Sequence, residues 1–299
     1  MKNKININTQ KIKTKFEGVD IALIIINIIL NIIALFIILL MPLSYVPNGE
    51  YLIVILSIFI PIVLTLLGFS TKFQELVGSI TIPNQRGLYR EEREFLFPII
   101  KNVITRINNE YDLDLNINDY VFKVFIDQSF NAFALGNRNI YVSEGFLYGN
   151  LVNEKEMEAI LAHEFAHLIK KDTVFLSAVV SCNFIMRCVG YLCTLIIGAG
   201  TRVKNKKDAS ILPILALIFY IIFVKLLSDG LFRLILMFKS RKEEYRCDAF
   251  SASLGYTEEL KGFFKKLERM EIGSNINFIK ILYSTHPKTV DRILALESL

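Results

Sequence analysis

Residues 21–41 contain no charged side chain and, apart from Asn27 and Asn31, nothing polar. At 1.5 Å per residue such a run spans a bilayer core of ~30 Å as a helix, and in lipid an unclosed chain has no other way to satisfy its backbone. A second apolar run covers Tyr51–Phe69, with Pro61 inside it. The stretch between them holds Pro42, Pro47, Asn48 and Gly49 and no Lys or Arg. Together they predict a transmembrane hairpin over 21–70. A secretory leader is the rival reading, but the apolar run is too long and lacks a small-residue cleavage site. Lys2, Lys4, Lys11, Lys13 and Lys15 precede the hairpin in a basic tail over 1–20, and none stands at its tip. The positive-inside rule then puts the N-terminus in the cytoplasm of a multi-pass plasma-membrane protein. A mean hydropathy of +0.44 and 53% hydrophobic residues agree with a bilayer partner. The net charge of +5 sits in tails and loops, so no nucleic-acid partner is expected. Cys182, Cys188 and Cys193 lie in one apolar segment, where cysteine acts as a small hydrophobe, and no C-x-x-C pair exists.

Residues 71–173 have soluble composition. Phe95, Ile99, Val103 and Ile107 give helical spacing over 91–109. Val121–Ile126 and Asn139–Val142 read as short strands, and Ser143 caps a short helix through Leu147. Asn153 with Glu156 is a capping-box pattern that opens a helix from Glu154 to about Lys171. Two further apolar stretches follow within 174–238, interrupted by Arg187 and followed by Lys225, Asp229 and Arg233. Intramembrane charges mostly pair or snorkel. The loop Thr201–Ser210 carries Arg202, Lys204, Lys206 and Lys207. If all four segments cross, that loop lies outside, against the positive-inside rule. Either segments three and four do not fully cross or the loop breaks the rule. The predicted class is a mainly α integral membrane protein with a small β-sheet and about four hydrophobic helices.

Only three histidines occur, and two lie in His163-Glu164-Phe165-Ala166-His167, inside the capped helix. Residues four apart share a helix face, so both imidazoles can take one zinc ion, with Glu164 beside it as a base. Catalytic zinc takes three protein ligands and leaves a position open. Downstream, Glu244 and Asp248 are four apart in Arg241–Ala249. A glutamate there can be the third ligand, and the aspartate can hold a histidine ring through its other nitrogen. A solvated charge run ending a helix is the plain alternative.

The chain resembles the HtpX-type membrane metallopeptidases, relatives of the type I CAAX prenyl proteases. Four blocks carry the likeness: Asn131-Ala132-Phe133-Ala134, His163–His167, Glu244-x-x-x-Asp248, and Ser284-Thr285-His286-Pro287 with Arg292, Ile293 and Leu296. Cys247 stands where that family usually has alanine, and Glu243 competes with Glu244 as ligand. The resemblance implies a gluzincin-like α+β zinc-protease domain in two parts, 71–173 and 239–299. It implies one Zn2+ per chain held by His163, His167 and Glu244, with Glu164 as general base and Asp248 behind a ligand. It also implies His286 near the oxyanion, Arg292 helping or anchoring, and Asn131, Ala132, Phe133 and Ala134 aligning a peptide substrate as an added strand. The implied activity is cleavage of membrane or misfolded proteins from the cytoplasmic side, with a link to stress. Prenyl-protein processing and a catalytically silent scaffold are the alternatives. The oligomeric state is not legible.

Overall fold

The computed structural model describes residues 18–43, 46–82, 84–201, 212–222, 232–273 and 287–299. The basic tail through residue 17, Lys225, Asp229, most of the 201–210 loop and Ser284–His286 lie outside them. The described chain is mainly helical with one small sheet, as the sequence predicts. It divides into two compact units: residues 71–174 with 237–299, and residues 17–70 with 175–236.

The second unit contains α1 (Gly18–Leu43) and α2 (Gly49–Gly68), which pack along each other, then α7 (Asp172–Cys182, from residue 175), α8 (Phe184–Thr201) and α9 (Leu212–Phe219). The buried face of α2 is a stripe of mostly small residues: Gly49, Ile53, Ser57, Pro61, Thr65 and Gly68. Small side chains let apolar helices approach where no hydrophobic force drives them together. Thr65 Oγ1 donates to the Pro61 carbonyl at 2.8 Å, so its hydroxyl is satisfied without water. Asn31 Nδ2 donates to Asn183 Oδ1 at 2.8 Å. Asn183 lies at the break between α7 and α8, where the axis bends by 44°. Among the described residues, Gly18–Leu40 and Gly49–Gly68 are long and apolar enough to cross a membrane, and the bent pair 172–198 meets the same test if taken as one span. The third apolar segment is therefore two helices, and Arg187, the charge that interrupts its apolar sequence, is exposed on the second of them.

The first unit contains α3 (Thr71–Thr81), α4 (Arg90–Tyr111), α5 (Glu144–Tyr148), α6 (Glu154–Lys170), the end of α10 (Phe232–Ser251), α11 (Thr257–Gly273) and α12 (Thr289–Glu297). Its sheet has strands β1 (Gln85–Gly87), β2 (Val121–Phe125), β3 (Ala132–Leu135) and β4 (Asn139–Ser143) in the order β1-β2-β4-β3. β2 and β4 are parallel, and the other pairs are antiparallel. β3 is thus an edge strand, joined to β4 through Gly136 at φ 67°. A Cβ on Gly136 would meet the Gln74 side chain at 2.6 Å, so both conformation and space require glycine there.

α6 is capped as expected: Asn153 Oδ1 accepts from Glu156 N, and Glu156 Oε2 accepts from Asn153 N, both at 2.9 Å. It packs against α4, α11 and β3 and is buried on nearly every side. The core around it holds Leu96, Ile100, Val103, Phe146, Leu161, Phe165, Phe250 and Leu260.

An ion-pair cluster ties β1 to this core. Arg86 Nη1 and Nη2 donate to both oxygens of the buried Glu92 at 2.7 and 2.8 Å. Burial pushes the Glu92 carboxyl up, but Arg86, Tyr148 and the Tyr89 N–H more than offset it, holding its pKa at about 2 instead of 4.5. A carboxyl depressed in the folded state contributes stability that is complete above its unfolded value and disappears as pH falls through the folded one. Arg86→Met is therefore expected to cost about 2–3 kcal/mol at neutral pH. The gap in thermal stability between wild type and variant should close as pH is lowered from about 5 toward 2. A gap independent of pH would show that Arg86 acts by packing alone.

Candidate metal centre

His163 and His167 project from the same face of α6, their rings 5.0 Å apart and nearly perpendicular. α10 brings Glu244 to them. Its Oε2 is 3.4 Å from His163 Nε2, and its Oε1 is 3.5 Å from His167 Nε2. Three ligands at ~2.0–2.1 Å from a tetrahedral zinc stand about 3.3–3.4 Å apart. The observed spacings match that figure, and nitrogen with carboxylate oxygen is a donor set zinc accepts. All three residues lie in the first unit. Glu244 rather than Glu243 joins the two histidines: its carboxylate is buried between them, whereas Glu243 is partly buried and outside the group.

Behind this group sits a second layer. Asp248 Oδ1 is 2.9 Å from His163 Nδ1. Arg292 of α12 clamps Asp248 with Nε to Oδ2 at 2.8 Å and Nη2 to Oδ1 at 2.6 Å. Arg292 Nη2 also lies 3.3 Å from Glu244 Oε2. Burial alone would raise the Asp248 carboxyl, but Arg292 and His163 hold it below the usual carboxylate range. Burial alone would likewise lower the His163 imidazole, yet Asp248 and Glu244 raise its pKa to about 10. His167 is raised as well, against burial, by Cys247, Asp172 and Glu244. The carboxylates of Glu244, Asp248 and Asp172 around two imidazoles favour positive charge at this point, and an imidazole ligates a metal only in its neutral form.

Glu164, on the turn between the two histidines, is buried and turns toward the sheet. Its Oε2 accepts from Ala134 N at 2.8 Å. β3 therefore aims a backbone N–H at the site. Pairing with β4 uses the odd-numbered residues: Asn131 N donates to Ser143 Oγ at 3.0 Å, and Asn131 O accepts from Ser143 N at 2.9 Å. By alternation, Ala132 and Ala134 present their polar groups to the open edge. Phe133 stacks on Tyr141 at 5.2 Å and tilts against Phe125, so its ring is part of the sheet's packing. Asn131 itself stands just before the strand, with its backbone engaged by β4.

The structure thus brings His163, Glu164, His167, Glu244, Asp248, Arg292 and the 132–134 edge together. His286 falls outside the described residues. Cys247, which the sequence marks as a departure from the family, and Asp172, which sequence reasoning misses, also stand beside the site. Asp172 Oδ2 is 3.3 Å and Cys247 Sγ 3.5 Å from His167 Nδ1. The available signal is an aspartate five residues past the second histidine, which helical periodicity discounts.

Residues 96–299 match the family described as Peptidase family M48. Among similar proteins, a "Protease HtpX homolog" of Campylobacter curvus is 31% identical over 59% of this chain and 68% of its own. A homolog of the same description from Prosthecochloris aestuarii is 32% identical over 56% and 62%. "Protease HtpX" of Haemophilus influenzae is 31% identical over 56% and 63%. The match thus spans about two thirds of these relatives' lengths. The crystal structure of S. mikatae Ste24p superposes with a TM-score of 0.48 at 17% identity, over 89% of this chain and 61% of that one. Likeness of that degree says nothing about activity. With more than half the chain matched and curated relatives that are HtpX proteases, the chain belongs to peptidase family M48.

Proposed function

We propose that the chain is a membrane-bound zinc endopeptidase that hydrolyses peptide bonds of membrane or misfolded proteins on the cytoplasmic side. The observation that carries this reading is the three-ligand group at tetrahedral spacing, with Glu164 between its two histidines and facing an open strand edge. His163, His167 and Glu244 would hold one zinc ion. Zinc in such a site polarises a carbonyl and lowers the pKa of water to ~7. The chain's own groups do the rest. A substrate segment pairs with the open edge through the backbone of Ala132 and Ala134, which fixes its register. Glu164 takes a proton from the attacking water and passes it to the departing amide nitrogen. Asp248, clamped by Arg292, holds the His163 ring in place. His286 donates to the developing oxyanion, an assignment that rests on its sequence block.

The basic tail and its lysines support a cytoplasmic N-terminus and a hairpin over 21–70, which returns the catalytic halves, 71–173 and 239–299, to the same side. Segments 174–200 and 211–238 re-enter the membrane between them. The 44° break at Asn183 supports a third segment that need not cross, which keeps the basic 201–210 loop inside.

The test uses the full chain purified in detergent. Elemental analysis should find about one zinc per chain. Casein cleavage should stop on treatment with 1,10-phenanthroline and return on adding zinc. Cleavage that survives complete metal removal overturns the reading.

A further inference from the structure

His163 and His167 are backed in the same way. Behind His163 stands Asp248, gripped by Arg292. Behind His167 stands Asp172, whose Oδ1 and Oδ2 lie 3.1 and 3.4 Å from Arg246 Nη2. Arg246 and Asp248 are two apart on α10, so one helix supplies the arginine for one pair and the aspartate for the other.

We propose that Asp172, held by Arg246, is the positioning residue for His167. It accepts the Nδ1 proton and so keeps Nε2 aimed at the Glu244 carboxylate and the metal position. The inference rests on the zinc reading above and adds a residue that reading does not use.

The local backbone explains why such a residue can serve. On an unbroken helix the fifth residue after His167 would lie about 140° round the axis, pointing away from the ring. Lys171 adopts the left-handed conformation, φ 61° and ψ 24°, and ends α6 with its N–H on the His167 and Leu168 carbonyls. A non-glycine residue there costs about 1 kcal/mol or more and persists only where the surroundings demand it. Helical periodicity is broken there, and Asp172, the next residue, has its carboxylate 3.3 Å from His167 Nδ1. Cys247 Sγ closes the other side of the same nitrogen at 3.5 Å. It is a weak partner, whereas a carboxylate is a strong acceptor. The plainer role for Asp172 is that of an acidic residue opening a helix and pairing with an arginine. That role would leave His167 untouched when Asp172 is replaced.

With only three histidines in the chain, full-length protein labelled with 15N-histidine in detergent gives imidazole signals that single His→Gln variants assign. Asp172→Ala is expected to remove the downfield, slowly exchanging Nδ1–H signal of His167, leaving that of His163 in place. It should weaken zinc binding about 10- to 100-fold in competition with a chromogenic chelator. Asp172→Asn, which keeps an acceptor oxygen, should recover part of both. Arg246→Met should weaken zinc less than Asp172→Ala. Unchanged His167 signals and zinc affinity in Asp172→Ala, or in Asp172→Asn and Arg246→Met if the alanine variant does not fold, overturn the proposal. The proton signal is read with or without metal, so a wild-type chain that fails to bind zinc overturns the proposed function while the signal still decides the role of Asp172.

Discussion

Glu164→Gln is expected to lose at least about 10²–10⁴-fold in peptide cleavage while keeping its full zinc content, a loss on the scale of removing a general base. The amide is nearly isosteric and can still accept from Ala134 N, so the contact that seats Glu164 against β3 survives. What disappears is the group able to carry a proton between water and the leaving nitrogen. Because Glu164 does not belong to the ligand group, metal analysis and cleavage should separate cleanly in this variant. A Glu164→Gln protein that cuts casein at the wild-type rate would remove Glu164 from the chemistry altogether.

The second large effect is expected at the third ligand. Glu244→Ala should bind zinc too weakly to survive dialysis and should show no cleavage above background. Glu244 is the only carboxylate among the described residues that lies within reach of both His163 Nε2 and His167 Nε2. Its loss also leaves the Arg292 guanidinium beside the site with one carboxylate fewer, which adds to the repulsion a dication meets. Glu243→Ala is the matching control and should retain zinc and activity, since that side chain lies one step round α10 and outside the ligand group. Zinc loss in Glu243→Ala with retention in Glu244→Ala would mean the ligand register is shifted by one residue.

Both predictions depend on features that differ in how far they can be read from the chain alone. The helix bearing His163 and His167 is legible in full, because its capping box, its length and the four-residue spacing of its ligands are all local. The hairpin is legible for the same kind of reason: a charge-free run of that length can only be a helix in lipid. The break of the third apolar segment at Asn183 is not legible, because composition does not record that Asn183 pairs with Asn31 and that the axis bends there.

By itself the sequence determined the chemistry on offer: the histidine pair with its glutamate, a carboxylate pair four residues apart far downstream, and apolar runs that commit the chain to a membrane. These follow from periodicity, capping and hydropathy, which act within a few turns. Only the tertiary structure brings the Glu244 carboxylate against both imidazoles at once. It also decided that β3 is an edge with Ala134 aimed at Glu164, and that Asp172 lies behind His167. Each of these depends on how α6, α10, α12 and β3 pack around one buried point, and on a left-handed turn at Lys171 that reverses what helical spacing predicts. A long-range contact is set by packing and by single backbone conformations, and neither is written in the order of neighbouring residues.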